Sequence, residues 1–110
     1  MDEVERLLRL LALNDEQSLD RVLGSRADAE LSPGLDPKVD LLIRLGALLA
    51  VGASTSSLRA TVERAIAAGA TPAEVTDVLV AVAPAVGMAR VVSGAPRLAA
   101  ALGYEIDRDD

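Results

Sequence analysis

Between residues 41 and 103 the chain has only three acidic residues and five arginines: Glu63, Glu74, Asp77, Arg44, Arg59, Arg64, Arg90 and Arg97. A chain of 110 residues has a large surface relative to the one core it can build. Residues 41–103 must form a large part of that surface, and they have too few charged side chains to do so in contact with water. Because obligate oligomer interfaces resemble a protein core cut in half, the pattern predicts a homo-oligomer.

The residue types that are missing exclude whole classes of chemistry. The chain has no cysteine and no histidine, so it has no thiol nucleophile, no disulfide, no ordinary zinc or haem site and no histidine base. We therefore expect neither a metal nor a cofactor. One tyrosine is the only aromatic residue and the net charge is −6, which argues against nucleic-acid binding.

The N-terminal sequence MDEVERLLRLLAL interleaves charges with leucines, unlike a secretory signal peptide. The most apolar run, residues 45–53, is too short to cross a bilayer. These features predict a cytoplasmic protein with no membrane partner.

Apolar spacings of three and four residues predict a first helix over residues 2–13. Asn14 followed by Gln17 is typical of a capping box that starts a second helix, and Gly24 is a natural end for it. A turn-rich connector then covers residues 24–35.

A third helix is predicted from Asp36-Pro37 to about residue 52, since an acidic N-cap followed by proline favours a helix start. It is apolar on nearly every face, so we expect it to be buried at the centre of the protomer or of the oligomer.

A serine-rich turn at residues 53–57 leads into the next helix, and the Thr71-Pro72-Ala73-Glu74 sequence is a strong start signal for another. Pro84 is expected to kink or split that helix. A final helix runs to about Leu102. The sequence therefore predicts an all-α fold.

The stretch from Leu35 to Tyr104 resembles the carboxymuconolactone decarboxylase family, which includes the AhpD-like alkylhydroperoxidases. The resemblance lies in DPKVDLLIRLGALLAVGA, in VERAIAAGATPAEVTDVLVAVAPAVGMARVV and in the ending LAAALGY; AIAAGATPAEV is its most specific part. It implies an AhpD-like protomer of about five to six helices that assembles into trimers or hexamers. On this basis we divide the chain into three parts: an N-terminal helical extension at 1–34, the family domain at 35–104 and an acidic tail at 105–110. The extension is expected to be an extra pair of helices.

In redox-active members of that family the site is a Cys-x-x-Cys motif with a histidine four residues later. Counted from the AAGAT sequence, these positions are Ser54, Ser57 and Thr61 here. The upstream glutamate of the relay falls at or near Leu42, with Asp40 as the closest carboxylate. A serine hydroxyl cannot form a sulfenic acid and then a disulfide, so peroxidase activity is excluded. The resemblance also implies that decarboxylase members depend on a histidine, which this chain lacks. Decarboxylase activity by that route is therefore not expected, and the catalytic residues stay undefined.

Arg59 and Arg44 are candidates to bind a small carboxylate, together with Ser54 and Ser57 at the start of a helix whose free N–H groups favour anions. For the serines the alternative is helix capping, and for Arg44 it is pairing across the assembly with an acid such as Asp40 or Glu63.

Arg90 is a weaker candidate for the same role, and Arg97 and Arg64 are interpreted as solvent-facing. Three functions remain open: an oligomeric non-redox protein that binds a small acidic or apolar molecule, a non-thiol enzyme acting on a lactone or carboxylated metabolite, and a structural or interaction module.

Overall fold

The computed structural model describes residues 2–23, 31–32 and 34–105. Within them the chain forms six helices and no strand, which confirms the all-α prediction. The helices are α1 Glu3–Ala12, α2 Glu16–Leu23, α3 Pro37–Val51, α4 Thr55–Ala67, α5 Pro72–Val86 and α6 Met88–Ala101. The chain divides between Leu31 and Ser32 into two compact units, one holding α1 and α2 and the other holding α3 to α6.

The start of α2 differs from the predicted capping box. Asn14 lies in the turn with a φ of 62°, and the Asp15 carboxylate accepts a hydrogen bond from the Ser18 N–H at 3.0 Å. Asp15 therefore caps α2, because Asn14 takes the left-handed conformation that reverses the chain and cannot also act as an extended N-cap. The predicted stop at Gly24 lies outside the described residues.

The starts of α3 and α5 follow the sequence signals. The Asp36 carboxylate accepts a hydrogen bond from the Lys38 N–H at 2.9 Å, and Pro37 occupies the first helical position. Thr71 and Glu74 form the full reciprocal capping box in front of α5. Local side-chain chemistry thus sets both helix starts.

Pro84 does not split α5 into two helices. It lies in the last turn of a continuous helix that ends at Val86, and the break falls at Gly87, whose φ is 88°. Pro84 has no N–H for the carbonyl four residues earlier, but the helical bonding continues past it, since the Gly87 N–H donates to the Ala83 carbonyl oxygen at 3.0 Å. Glycine adopts the positive φ at which the chain turns into α6.

The core of the second unit is built around α3, which packs against α4, α5 and α6. Its buried leucines recur every four residues and meet buried side chains of the other three helices: Leu41, Leu45, Leu49, Leu58, Val62, Ala65, Val75, Leu79, Leu98 and Ala101. The α3 helix is not buried all round, as Ile43 is 56% and Val51 70% exposed. Within this unit α3 is therefore central, as expected, but it is covered on one side only, and burial of its remaining face in an oligomer stays a prediction.

Within the described residues, no helix is both long and apolar enough to cross a membrane.

Candidate functional site

The turn between α3 and α4 is shaped by Gly52. This residue ends α3 in the left-handed conformation, with φ of 74° and ψ of 39°, which glycine adopts without a Cβ penalty. Ala53 follows, and Ser54 is the N-cap of α4. The turn therefore places the carbonyl end of one helix next to the amide end of another.

Ser54 and Ser57, which the sequence resemblance assigns to the family's two cysteine positions, lie side by side at the start of α4. The Ser54 hydroxyl donates to the Ser57 hydroxyl at 3.2 Å and accepts from the Ser57 N–H at 3.3 Å. The Ser56 hydroxyl is 3.1 Å from that of Ser54. Thr61 lies one turn further along α4 and is half-buried. The capping role of Ser54 is confirmed, whereas ligand binding by Ser54 or Ser57 stays a prediction.

One face of α6 lies against this turn. Its residues follow helical spacing, and with the turn and two leucines they line a small pocket: Arg90, Ser93, Gly94, Arg97, Gly52, Ala53, Leu49 and Leu58. The enclosed space is about that of one water molecule. The described lining contains two guanidinium groups and no carboxylate.

Arg97 holds the turn in place. Its Nη1 donates to the carbonyl oxygen of Gly52 at 3.1 Å and to that of Ala53 at 3.2 Å, and the side chain is half-buried. The interpretation of Arg97 as solvent-facing is therefore wrong. A cation at the C-terminal end of a helix satisfies its free carbonyl groups and complements its dipole. The sequence held one sign of this contact: Gly52 marks the end of a helix, where free carbonyl groups require a hydrogen-bond donor.

Arg90 lies at the same turn but has no partner of this kind. Its guanidinium rests against Gly52, where a Cβ atom would collide with Nη1. Across the described part of the chain, Arg90 makes no hydrogen bond and no ion pair, and its side chain is exposed. It therefore presents an uncompensated positive charge at the pocket.

Arg44 and Arg59, the two arginines predicted to bind a carboxylate, do not line this pocket. Arg44 lies on α3 eight residues before Gly52, which is about 12 Å along the helix axis. Its Nε donates to the Asp40 carboxylate at 2.6 Å, so Arg44 does pair with Asp40, but within one chain and not across the assembly as expected. Arg59 is exposed and donates to the carbonyl oxygen of Ala100 at 3.3 Å, near the end of α6.

Asp40, the carboxylate that the resemblance places closest to the family's glutamate, is buried and accepts hydrogen bonds from neighbouring groups. Its side chain is 4% exposed and also accepts a hydrogen bond from the Ser32 N–H at 2.7 Å. It lies twelve residues before Gly52, so it belongs to the other end of α3. Leu42, at or near which the resemblance places that glutamate, has no titratable group.

Among the described residues two carboxylates have a lowered pKa, Glu74 chiefly through its contact with Lys38 and Asp15 through helix capping. The hydrogen bond from Lys38, followed by the Thr71 N–H, lowers the pKa of Glu74 below its ordinary value of 4.5. Hydrogen bonds from the Ser18 hydroxyl and N–H lower the pKa of Asp15. Neither residue lines the pocket, so neither shift marks an acid or base of the site.

Comparison with known proteins relates the chain to one family. Neither a curated protein nor a solved structure matches it. The model of the carboxymuconolactone decarboxylase family matches residues 17–102, a span that begins in α2 and includes the α3–α4 turn and α6. The match covers well over half of the sequence, so the chain belongs to the carboxymuconolactone decarboxylase family.

Proposed function

We propose that this chain is a non-redox member of its family, that it works as a homo-oligomer, and that it binds the carboxylate group of a small molecule through Arg90 and Arg97. One observation supports the binding proposal most directly. Within the described part of the chain, the Arg90 guanidinium has no hydrogen-bond or ion-pair partner, and no carboxylate lines the pocket beside it.

The absence of thiols supports the non-redox part. Reduction of a hydroperoxide by this family's route needs a thiolate that passes through a sulfenic acid to a disulfide. Serines occupy both corresponding positions, and the chain has no cysteine and no histidine anywhere. The Ser54 and Ser57 hydroxyls serve the start of α4 instead.

The chemistry of guanidinium groups supports carboxylate as the ligand class. A guanidinium presents paired N–H donors in a plane, a geometry that matches the two oxygens of a carboxylate. Arg97 already uses Nη1 on the Gly52 and Ala53 carbonyls, so Arg90 is the main binding group and Arg97 adds positive charge beside it. Because the pocket has room for only about one water molecule, it can take one carboxylate oxygen, and the rest of the carboxylate and the body of the ligand stay outside.

Uncovered apolar side chains support self-association. Val51 of α3, Val80 of α5, and Met88 and Val92 of α6 are each between 64% and 77% exposed. Residues 78–101 carry two arginines and no acidic residue. A surface of this composition is typical of one that is covered by another protein chain.

Calorimetric titration with acetate, succinate and benzoate tests the binding proposal. We expect Arg90→Gln to weaken carboxylate binding at least tenfold, equivalent to about 1.4 kcal/mol, whereas Arg59→Gln serves as the matched control and binds like the wild type. Equal affinities for the wild type and Arg90→Gln, or no binding of any of the three anions, would overturn it.

Two further measurements test the other parts. Light scattering at micromolar protein is expected to give a multiple of the 11.4 kDa chain mass, and a monomer alone would contradict self-association. A coupled assay with a thiol reductant is expected to show no hydroperoxide turnover.

A further inference from the structure

Ser93 lies on the face of α6 that lines the pocket, between the two arginines of the proposed site. Arg90 comes three residues before it and Arg97 four residues after it, and all three residues line the pocket. Residues at these spacings are neighbours on the surface of a helix, with Cβ atoms about 5–6 Å apart. A ligand atom that enters the pocket can therefore contact Ser93 and Arg90 together.

The direction of side chains in a helix favours this shared contact. Each Cα–Cβ bond of an α-helix tilts toward the N-terminal end of the helix. The Ser93 side chain therefore leans toward the turn of α6 that holds Arg90. The guanidinium of Arg90 rests against Gly52, which lines the same pocket as Ser93.

The Ser93 hydroxyl makes no hydrogen bond within the part of the chain that the structure describes. A serine or threonine inside a helix can donate its hydroxyl to the carbonyl oxygen four residues earlier. Thr76 of α5 does so, since its Oγ1 donates to the Pro72 carbonyl oxygen at 3.0 Å. Ser93 has no such bond and is exposed, so its hydroxyl is available to a ligand.

Ser93 is also not the residue that best stabilises its helix. Serine favours a helix interior less than alanine does, because its hydroxyl competes for backbone hydrogen bonds in other conformations. At position 93 the hydroxyl gives no hydrogen bond in return among the described residues. Its removal is therefore expected to leave the fold intact.

We infer that Ser93 is a binding residue of the proposed site and that its hydroxyl donates a hydrogen bond to the carboxylate oxygen that enters the pocket. The inference rests on the proposed function, which brings that oxygen to Arg90. The two residues recognise different properties of the ligand: Arg90 requires negative charge, and Ser93 requires an oxygen that accepts a hydrogen bond. A bond from a hydroxyl to an ionised oxygen is shorter and stronger than one between neutral groups.

Calorimetric titration of Ser93→Ala with acetate, succinate and benzoate tests the inference. We expect a loss of affinity of about tenfold relative to the wild type, since one hydrogen bond to a charged group is removed. The melting temperature is expected to stay the same or to rise slightly, because alanine favours a helix. A serine with a purely structural role would not combine lower affinity with equal or higher stability.

Two further variants serve as controls. Thr76→Ala removes a hydroxyl from another exposed helical position, outside the pocket, and is expected to bind all three anions like the wild type. Ser93→Thr keeps a hydroxyl at the site and is expected to retain most of the affinity that Ser93→Ala loses.

The outcomes separate this inference from the proposed function. If Arg90→Gln loses binding while Ser93→Ala binds as tightly as the wild type, the role of Ser93 is overturned and carboxylate binding by Arg90 stands. An equal loss of affinity in Thr76→Ala and Ser93→Ala would overturn it as well. If the wild type binds none of the three anions, the proposed function itself fails, and the role of Ser93 fails with it.

Discussion

The Arg97 guanidinium and the Gly52 carbonyl oxygen, 45 residues apart in sequence, are joined by a hydrogen bond of 3.1 Å. This contact fastens α6 to the end of α3 and so fixes the turn from which α4 begins. The pocket beside it exists because the two helices are held in this way.

Replacement of Arg97 is therefore expected to destabilise the protein. Arg97→Gln removes charge-assisted hydrogen bonds to two carbonyl groups at a helix end, which corresponds to a loss of about 1–2 kcal/mol in the free energy of unfolding. Urea denaturation gives this value. Arg59→Gln is the control, since Arg59 is exposed and makes one longer hydrogen bond to Ala100, and an equal loss in both variants would contradict the special role of Arg97.

The Asp40–Arg44 pair is expected to show strong energetic coupling. The Asp40 side chain is 4% exposed and that of Arg44 30%, so Arg44→Met leaves a buried carboxylate without its guanidinium neighbour. We expect a loss of about 2 kcal/mol, below the range for fully buried pairs because Arg44 is partly solvated.

A double-mutant cycle with Asp40→Asn measures this coupling. The double variant is expected to lose less stability than the sum of the two single variants. Strict additivity would show that the 2.6 Å contact contributes nothing to stability.

Stability is expected to depend on pH through Glu74. The pKa of this carboxyl is lowered below 4.5 in the folded protein, chiefly by the hydrogen bond from Lys38, so the unfolded chain binds the proton more readily. The contribution of Glu74 is therefore fully present above pH 4.5 and is lost as the pH falls through the lower, folded value.

Glu74→Gln is expected to lower the free energy of unfolding at pH 7 and to have a smaller effect at pH 3. Thermal melts of both proteins across this range measure the difference, with Glu63→Gln, at an exposed position of α4, as the control. If the loss in the free energy of unfolding caused by Glu74→Gln were the same at pH 7 and pH 3, the Lys38–Glu74 pair would not contribute a pH-dependent part of the stability.

Two buried helical glycines are expected to respond differently to alanine. A Cβ atom at Gly46 would lie 3.2 Å from Val82 Cγ1, where α3 and α5 pack closely, whereas one at Gly94 would meet Leu49 Cδ2 at an ordinary 3.4 Å. Alanine gains about 1 kcal/mol over glycine within a helix. We expect Gly94→Ala to keep most of this gain and Gly46→Ala to lose it to crowding, with thermal melting as the measurement; equal melting temperatures would contradict the difference in packing.

The helices could be predicted from sequence because their ends are decided by neighbours in the chain. Asp36-Pro37 and Thr71-Pro72-Ala73-Glu74 satisfy the free N–H groups of their own helices, so no distant residue is needed to define them. Sequence reasoning failed at the start of α2, where Asn14 and Asp15 are both suitable caps. Which of the two caps the helix depends on the left-handed conformation that the turn imposes on Asn14.

The makeup of the pocket, by contrast, was decided by tertiary structure. Sequence determined that the chain has no thiol or imidazole and that serines stand at the start of α4, since these are matters of residue identity. It also favoured Arg59, because it is close to that turn along the chain, and Arg44, because it is a lone charge inside the most apolar helix. Arg90 and Arg97 reach the turn only because one face of α6 packs against it. Which face of a helix contacts a turn about 40 residues earlier depends on the packing of the whole unit, and it cannot be read from positions along the chain.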